Sequence, residues 1–499
     1  MIRSLLTVFA FFTVAFSLTA QEISGRVLDH HSGDPVPYAN IIYGLNRGVI
    51  TNEEGEFMLH TRGQVDSLVI SSLGYEPLTL HEFGPDLRLN LIPITTELEQ
   101  VFLSDQQLSG REIVDLVMQH LEKNYHGKST ELNFFYRKSN HQELGFDIDV
   151  KKSSIEELNQ ELLDEILANV PKDSGSYQEI AGVLYGDYDQ QKIHIDKAAQ
   201  LYNESENKRL QELTEQLQEI LLENIKDDSF LKVRTGIIGT KIQAKEIKEG
   251  LEVGGTKEEM HPDTLALKER KQREYFHKWA GRDLHNLFSG MFWKEDNKID
   301  FFLNPNRYRF HVAGYADLKG EMVYVVEVEP KRRGDFKGKF YVNVADYALQ
   351  RLDFENVKDL SRFKLFGISS IDDLYSGMLM FSKNPGGTYS PSYLELRSGT
   401  TTGVKRPLKI IERNRVVPGR NKQNQLKLDL DLDVRQVTTY QFYVFEAKPI
   451  EVDNISLIED YVDYEYGVFE SYNADFWKGT TIVEPNAAIK EYSSASPSP

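Results

Sequence analysis

The sequence predicts a multidomain, β-rich protein. An all-β sandwich comes first, followed by an α+β domain with a large antiparallel sheet and an acidic helical insertion. Three observations carry this reading. Residues 21–105 break into short apolar runs with a turn signal roughly every ten residues, the rhythm of a sandwich. Residues 308–357 hold four runs of alternating residues joined by short turns, the rhythm of antiparallel neighbours. Residues 153–226 carry far more acids than bases and two apolar stripes at helical spacing. A chain of 499 residues has room for at least two domains.

The chain opens with Arg3, an apolar run from Leu5 to Phe16 broken only by Thr7 and Thr13, and small residues up to Ala20. This layout predicts a secretory signal peptide over residues 1–20, because the run is too short to span a bilayer comfortably. No cysteine occurs, which excludes disulfides, a thiol nucleophile, a thiolate metal site and a lipoprotein anchor. No later apolar run reaches the length of a transmembrane helix. Export without an anchor points to the periplasm, the periplasmic face of the outer membrane, or secretion. The net charge of -19 argues against nucleic acid as a partner and against long-range steering towards anionic lipid.

After the signal peptide, Ile23 to Asp29 reads as a strand entering a turn. The segments 34–40, 48–57 and 66–75 follow, and Leu87 to Leu91 closes the sandwich over residues 21–105. At Asn52–Glu53–Glu54–Gly55 the glycine supplies positive φ for a tight turn, and Phe57 returns the chain to the core. Several of these residues recur together in a known domain. Gly25, Val27 and Asp29, then Pro35 with Ala39 and Asn40, the Thr51 to Phe57 hairpin, Ser71 with Gly74 and Tyr75, Leu91 to Pro93, and Leu98 to Val101 jointly resemble the carboxypeptidase regulatory-like domain. The resemblance covers roughly residues 22–104. It implies a small immunoglobulin- or transthyretin-like sandwich without catalytic residues, of the kind that commonly begins exported Bacteroidota proteins, outer-membrane receptors among them.

The α+β body is expected over residues 106–487. Ser109 and Glu112 form a capping box ahead of Ile113, Val114, Val117, Met118 and Leu121, a helix that Gly127 ends. Residues 132–137 read as a strand, and this helix followed by Phe135–Tyr136–Arg137 resembles a group of Bacteroidota proteins that carry the regulatory-like domain. In the acidic helical part, 153–226, Ser153 and Glu156 form a second capping box, Ile155, Leu158, Leu162 and Ile166 share a face, and Pro171 stops the helix. Leu210, Leu213, Leu217, Ile220 and Leu221 make a second stripe, read as a surface helix packed on its own domain or as a partner-binding helix. Residues 180–184 and 192–195 between them are strand candidates.

Residues 245–262, rich in Lys, Glu and Gly, read as a mobile loop, and a helix is expected from Lys268 to Phe288. The antiparallel sheet spans residues 300–450. One face should carry Phe310 and Val312, then Met322, Tyr324, Val326 and Val328, then Phe340, Val342 and Val344, then Ala348, Leu352 and Phe354. Further strands are expected at 374–381, 393–397, 408–415 and 426–445, and residues 488–499 read as a disordered tail. A complete membrane barrel is not expected, because the charged strands lack a continuous lipid-facing band.

Candidate chemistry is sparse. Asp429, Asp431 and Asp433 alternate with leucines, but carboxylates at period two on a strand form a row and do not converge on one ion, so a solvated face is expected instead of a calcium site. His30 and His31 sit in a turn. His277 and His285 lie eight residues apart near Trp279, a spacing that packing explains better than metal binding. Ser361 and Lys364 match the serine acyl-enzyme spacing without its companion motifs. Lys331, Arg332 and Arg333 with Lys337 and Lys339 form a basic hairpin tip, either solubilising or a contact for an acidic partner or lipid headgroup. The sequence therefore assigns no catalytic, cofactor-binding or metal residue. It points to a non-enzymatic exported cell-envelope protein that binds or assembles with an envelope protein or lipid. By fold-level analogy with lipoprotein carriers, an apolar sheet groove would do the binding. The rival expectation is an exported hydrolase whose site is assembled from dispersed residues of the α+β body.

Overall fold

A computed structural model describes residues 20–43, 48–62, 65–94, 108–126, 129–202, 204–236, 238–246, 262–295, 297–318, 320–418, 421–450 and 463–492. The signal peptide, residues 98–101, most of the loop expected at 245–262 and the end of the tail lie outside the described residues. The structure is mostly β and divides into two compact units. One comprises Met1–Val101, Ala316–Met322 and Asn473–Lys490, and the other comprises Phe102–Tyr315, Val323–Tyr472 and Glu491–Pro499.

In the first unit, β1 (Ala20–Asp29) runs antiparallel to β4 (Glu56–Arg62) and parallel to β7 (Asp86–Leu91). A second sheet places β2 (Asn40–Ile42) between β3 (Gly48–Ile50) and β5 (Leu68–Ser71), with β6 (Leu78–Leu80) beside β5. Period-two alternation buries Ile23, Val27, Phe57, Leu59, Ile41, Leu68 and Ile70. Polar residues of the matched motifs hold the turns. The Thr51 hydroxyl donates to the Val36 carbonyl and accepts from the Ala39 N–H, both at 2.8 Å. Asn52 Oδ1 accepts from the N–H groups of Glu54 (3.0 Å) and Glu56 (2.8 Å), and Gly55 between them has φ 74°. Tyr75 donates its hydroxyl to Asp29 at 2.9 Å. These bonds replace backbone pairing where the chain reverses.

The second unit is built on one large sheet. Its strands are β8 (Ser129–Ser153), β9 (Asp173–Gly186), β10 (Gln191–Leu201), β11 (Phe230–Thr235), β12 (Ile238–Gln243), β13 (Tyr308–Leu318), β14 (Glu321–Pro330), β15 (Phe336–Asn343), β16 (Leu349–Asn356), β17 (Ser361–Leu365), β18 (Ile368–Lys383), β19 (Tyr389–Arg413), β20 (Lys422–Ile450) and β21 (Glu465–Phe469). Among the described residues the order is β13-β14-β15-β16-β18-β19-β20-β8-β9-β10-β21, with β17 paired to β18, β11 to β19 and β12 to β11. The helices are α1 (Gly110–Gln119), α2 (Leu121–Tyr125), α3 (Gln160–Asn169), α4 (Glu204–Asn224), α5 (Pro262–Ser289) and α6 (Ala487–Lys490), of which α6 belongs to the first unit. The core lies where α1 and the C-terminal half of α5 meet the sheet. Ile113, Val114 and Val117 come from α1, and Ala280, Leu284 and Phe288 from α5; they pack with Phe134, Tyr136, Leu394 and Phe442.

Several expectations meet their structure directly. The Ser109 capping box is present, with its hydroxyl accepting from the Glu112 N–H and Glu112 accepting from the Ser109 N–H at 2.7 Å. The four alternating runs are β13 to β16. Tyr324, Val326 and Val328 face the core, but Met322 does not: it is exposed, and the neighbouring Val323 is buried on the opposite face. A bulge in β16 skips Gln350, so Leu349 takes the place opposite Val342 while Leu352 stays opposite Phe340. The helix expected from Ser153 begins later, at Gln160. Ser153 is held in β8 opposite Leu426, and Asn159 caps instead, its side chain accepting from the Leu162 N–H at 2.9 Å. The acidic part, 153–226, contains β9 and β10 as well as two helices. Residues 393–397 and 408–415, expected as separate strands, belong to the single strand β19 up to Arg413.

Candidate functional site: an apolar strip on the large sheet

β8, β19 and β20 are the longest strands, and they outrun the helix-covered core. Their shared inner face can be read row by row from the pairing. Phe442 lies between Tyr136 and Leu394, and Tyr440 between Lys138 and Leu396. Thr438 then lies between Asn140 and Ser398, and Gln436 between Gln142 and Thr400. Beyond this polar belt the face turns apolar again. Val434 pairs with Leu144, Leu432 with Phe146 and Val404, Leu430 with Ile148 and Arg406, and Leu428 with Val150 and Leu408. The apolar side chains of this strip are half-buried, each keeping part of its surface accessible. At its far end Ile410 packs with Leu221 against Ile225, Leu231 and Ala244.

Polar groups mark the border of the strip. Lys138 Nζ lies 2.8 Å from Asp283 on α5 and 4.5 Å from the centroid of the Trp279 ring. The Tyr136 hydroxyl donates to the same carboxylate at 3.2 Å; burial and the Asp283 charge push this phenol well above its usual range. These contacts fasten α5 to the sheet where the core ends. In the belt, Thr438 donates to Asn140 at 3.0 Å. Asp372 accepts from the hydroxyls of Ser361 (2.8 Å) and Thr400 (2.9 Å), which lower its carboxyl below the ordinary carboxylate range.

Arg406 sits within the strip itself. The inward positions of β19 read Val404, Arg406, Leu408, Ile410, so a cation stands in an apolar row, and it is only 7% exposed. Its guanidinium donates to the Thr235 carbonyl at 2.8 Å. Among the described residues no carboxylate forms an ion pair with it, although the group has five donors in a rigid fork. The opposite face of the same strands is charged. Asp431 pairs with Lys405, Lys151 lies 2.8 Å from Asp149 and 3.7 Å from Asp429, and Asp433 lies over Gly145.

The residues singled out from sequence are scattered. Asp429, Asp431 and Asp433 form a row on the outer face, where Lys151 pairs with Asp429 and Lys405 with Asp431. His30 and His31 are in an exposed turn; His277 is buried against the Ile193 carbonyl (3.3 Å), and His285 meets Gln191 (3.1 Å). Ser361 bonds to Asp372, while Lys364, three residues along β17, points to the other face. In the basic hairpin, Lys337 pairs with Glu355 at 2.7 Å and Lys339 with Glu327 at 2.9 Å. Among the described residues no group of three or more His, Asp or Glu is placed to hold a metal ion, and no helix is long and apolar enough to cross a membrane. Sequence reasoning missed two groups. One is Arg406, whose only trace is a basic residue at inward parity. The other is the Arg137–Glu179 pair, directly opposed on β8 and β9, 2.7 Å apart and 2% and 0% exposed. Burial works against the charge on Arg137, yet Glu179 holds its guanidinium above the usual value.

Comparison with known proteins gives one domain and no close relative. No curated protein matches the chain. Solved structures match over a large share of it but superpose poorly. A domain described as an outer membrane lipoprotein-sorting protein from Vibrio parahaemolyticus is 7% identical, covering 70% of this chain and 97% of its own, with a TM-score of 0.20. MucB bound to MucA from Pseudomonas aeruginosa is 7% identical, covering 68% and 100%, with a TM-score of 0.17. Superposition this loose carries no argument. The match to the CarboxypepD_reg-like family spans residues 23–103, which contain the motif residues Gly25, Asp29, Asn52, Gly55 and Tyr75. The chain thus carries a CarboxypepD_reg-like domain at residues 23–103.

Proposed function

We propose that this chain is a non-enzymatic cell-envelope protein that holds an amphiphile, with an apolar body and a carboxylate or phosphate head, against the strip on its large sheet. It would work in the periplasm or at the periplasmic face of the outer membrane. The observation that carries the reading is Arg406 within rows of half-buried Leu, Val, Ile and Phe side chains. An apolar surface alone accepts any hydrocarbon, whereas a buried cation with donors to spare favours a head that brings its own negative charge. The location is supported by the signal-peptide pattern of residues 1–20. The test is binding of a fluorescent fatty acid and of its neutral methyl ester to the purified chain. The acid should bind to the wild type, and Arg406→Leu should weaken it about 10-fold or more while leaving the ester unchanged, the effect of losing one charge-assisted hydrogen bond. If neither probe binds to the folded protein, the reading is wrong.

A further inference from the structure

The hairpin of β17 and β18 presents its apolar side chains outwards. Phe363 and Leu365 are each 50% exposed, Phe366 58% and Ile368 39%. Folding alone does not explain Phe366. The turn between Leu365 and Ile368 has two central residues, Phe366 with φ 50° and Gly367 with φ 76°, the pattern of a type I′ turn. Gly367 is required there, since a Cβ would lie 2.2 Å from the Lys405 carbonyl. At the first position this turn favours Asn or Asp, and a bulky apolar residue with positive φ is disfavoured. A residue that opposes its own backbone and exposes a phenyl ring points to a role outside the fold.

The hairpin is also two-faced. Pairing sets Phe363 and Leu365 on the side of Ile368 and Val404, continuous with the strip, and Arg362 and Lys364 on the other. Residues 358–368 carry Lys358, Arg362 and Lys364; Lys358 pairs with Asp335 at 2.7 Å and Arg362 with Asp359, and among the described residues Lys364 forms no ion pair. At physiological salt, charges more than about 8–10 Å away are largely screened, so a surface touching the tip meets Lys364 before the net charge of -19. We infer that the tip docks on a phospholipid bilayer, with Phe366, Leu365 and Phe363 entering the headgroup–acyl boundary and Lys364 meeting the phosphates. Apolar burial supplies most of the attraction, and Lys364 adds to it on anionic lipid. This inference does not depend on a ligand in the strip, though the continuity of the two surfaces would give an amphiphile a path between bilayer and sheet.

The experiment is co-sedimentation of the full mature chain with vesicles of phosphatidylcholine, and of phosphatidylcholine mixed with phosphatidylglycerol, at physiological salt. The wild type should sediment with both and more tightly with the mixture. Phe366→Asn gives the turn a residue it favours, so its thermal midpoint should stay or rise while partition falls about 10- to 100-fold, the loss of one buried aromatic side chain. Lys364→Gln should weaken binding about fivefold, and only on the mixture. Wild-type protein that remains in the supernatant with both vesicles overturns the inference. So does Phe366→Asn that sediments like the wild type. Arg406→Leu should sediment normally, so a failure of the amphiphile site and a failure of membrane docking read out separately.

Discussion

The Arg137–Glu179 pair gives the sharpest test of the energetics. The Nε and Nη2 atoms of Arg137 both lie 2.7 Å from Glu179 Oε1, and Glu179 Oε2 has no hydrogen-bond partner among the described residues. Both donors thus converge on one oxygen, where an ideal fork would engage two. With both residues buried, their attraction is offset by a desolvation cost of several kcal/mol for each ion. Glu179→Leu removes the attraction but leaves Arg137 buried, which should destabilise the protein by about 3–5 kcal/mol. Replacing both, Arg137→Met with Glu179→Leu, removes the desolvation cost too and should recover most or all of that loss. Urea unfolding followed by circular dichroism measures each variant, and a thermodynamic cycle isolates the coupling. A single variant that loses less than about 1 kcal/mol, or a double variant whose loss is the sum of the two singles, refutes the argument.

Two further outcomes follow from local geometry. Asp346 is pushed up by burial but held below the ordinary value of 3.8 by Lys383 (2.7 Å), the Ala348 N–H (3.2 Å) and the Tyr389 hydroxyl (3.0 Å). Its folded value is depressed, so the stability it contributes is complete above 3.8 and lost as pH falls through the lower folded value. Asp346→Asn should therefore be less stable than wild type at neutral pH, with the gap closing below about pH 4 in parallel urea titrations. Ser109→Ala removes the hydroxyl half of the capping box, leaving the bond from the Ser109 N–H to Glu112, and should cost about 1 kcal/mol. Restoring the cap with Ser109→Thr should recover most of that loss in the same assay.

Residues 308–357 were legible because each strand is short and half-buried, and the turns between them use residues with few alternatives. The continuity of β19 was not legible, since Gly399, Gly403 and Pro407 look like interruptions. In the structure the Lys405 N–H donates to the Gly367 carbonyl, so the nitrogen of Pro407, two residues on, faces the same side. There β18 has ended at the Ile368–Val404 pair and β11 begins only at Leu408–Thr235. The missing N–H of Pro407 thus falls in a gap between partners. The site was half legible. The Leu–Asp alternation of residues 428–433 shows a strand with one apolar face. Which strands continue that face, and how far the helices cover it, are long-range facts that no local window contains. Arg406 was hidden for the same reason, because its meaning depends on parity with leucines on another strand.

An apolar strip left half-accessible invites a second reading, association with another copy of the chain, and its dimensions decide between the two. From Val434 to Leu426 the strip runs eight residues, about 27 Å at the usual rise per residue, and its three strands make it about 10–15 Å wide. That is an area of about 270–400 Å², half or less of the roughly 800 Å² per partner that a stable protein interface buries. A hydrocarbon chain needs no such area. It spans about 15 Å in one leaflet of a bilayer, close to the roughly 14 Å between Arg406, opposite Leu430 at mid-strip, and either end of the strip. The dimensions favour the proposed amphiphile over a second copy, and a dimer in sedimentation that Leu430→Asp abolishes would be the result that reverses this ranking.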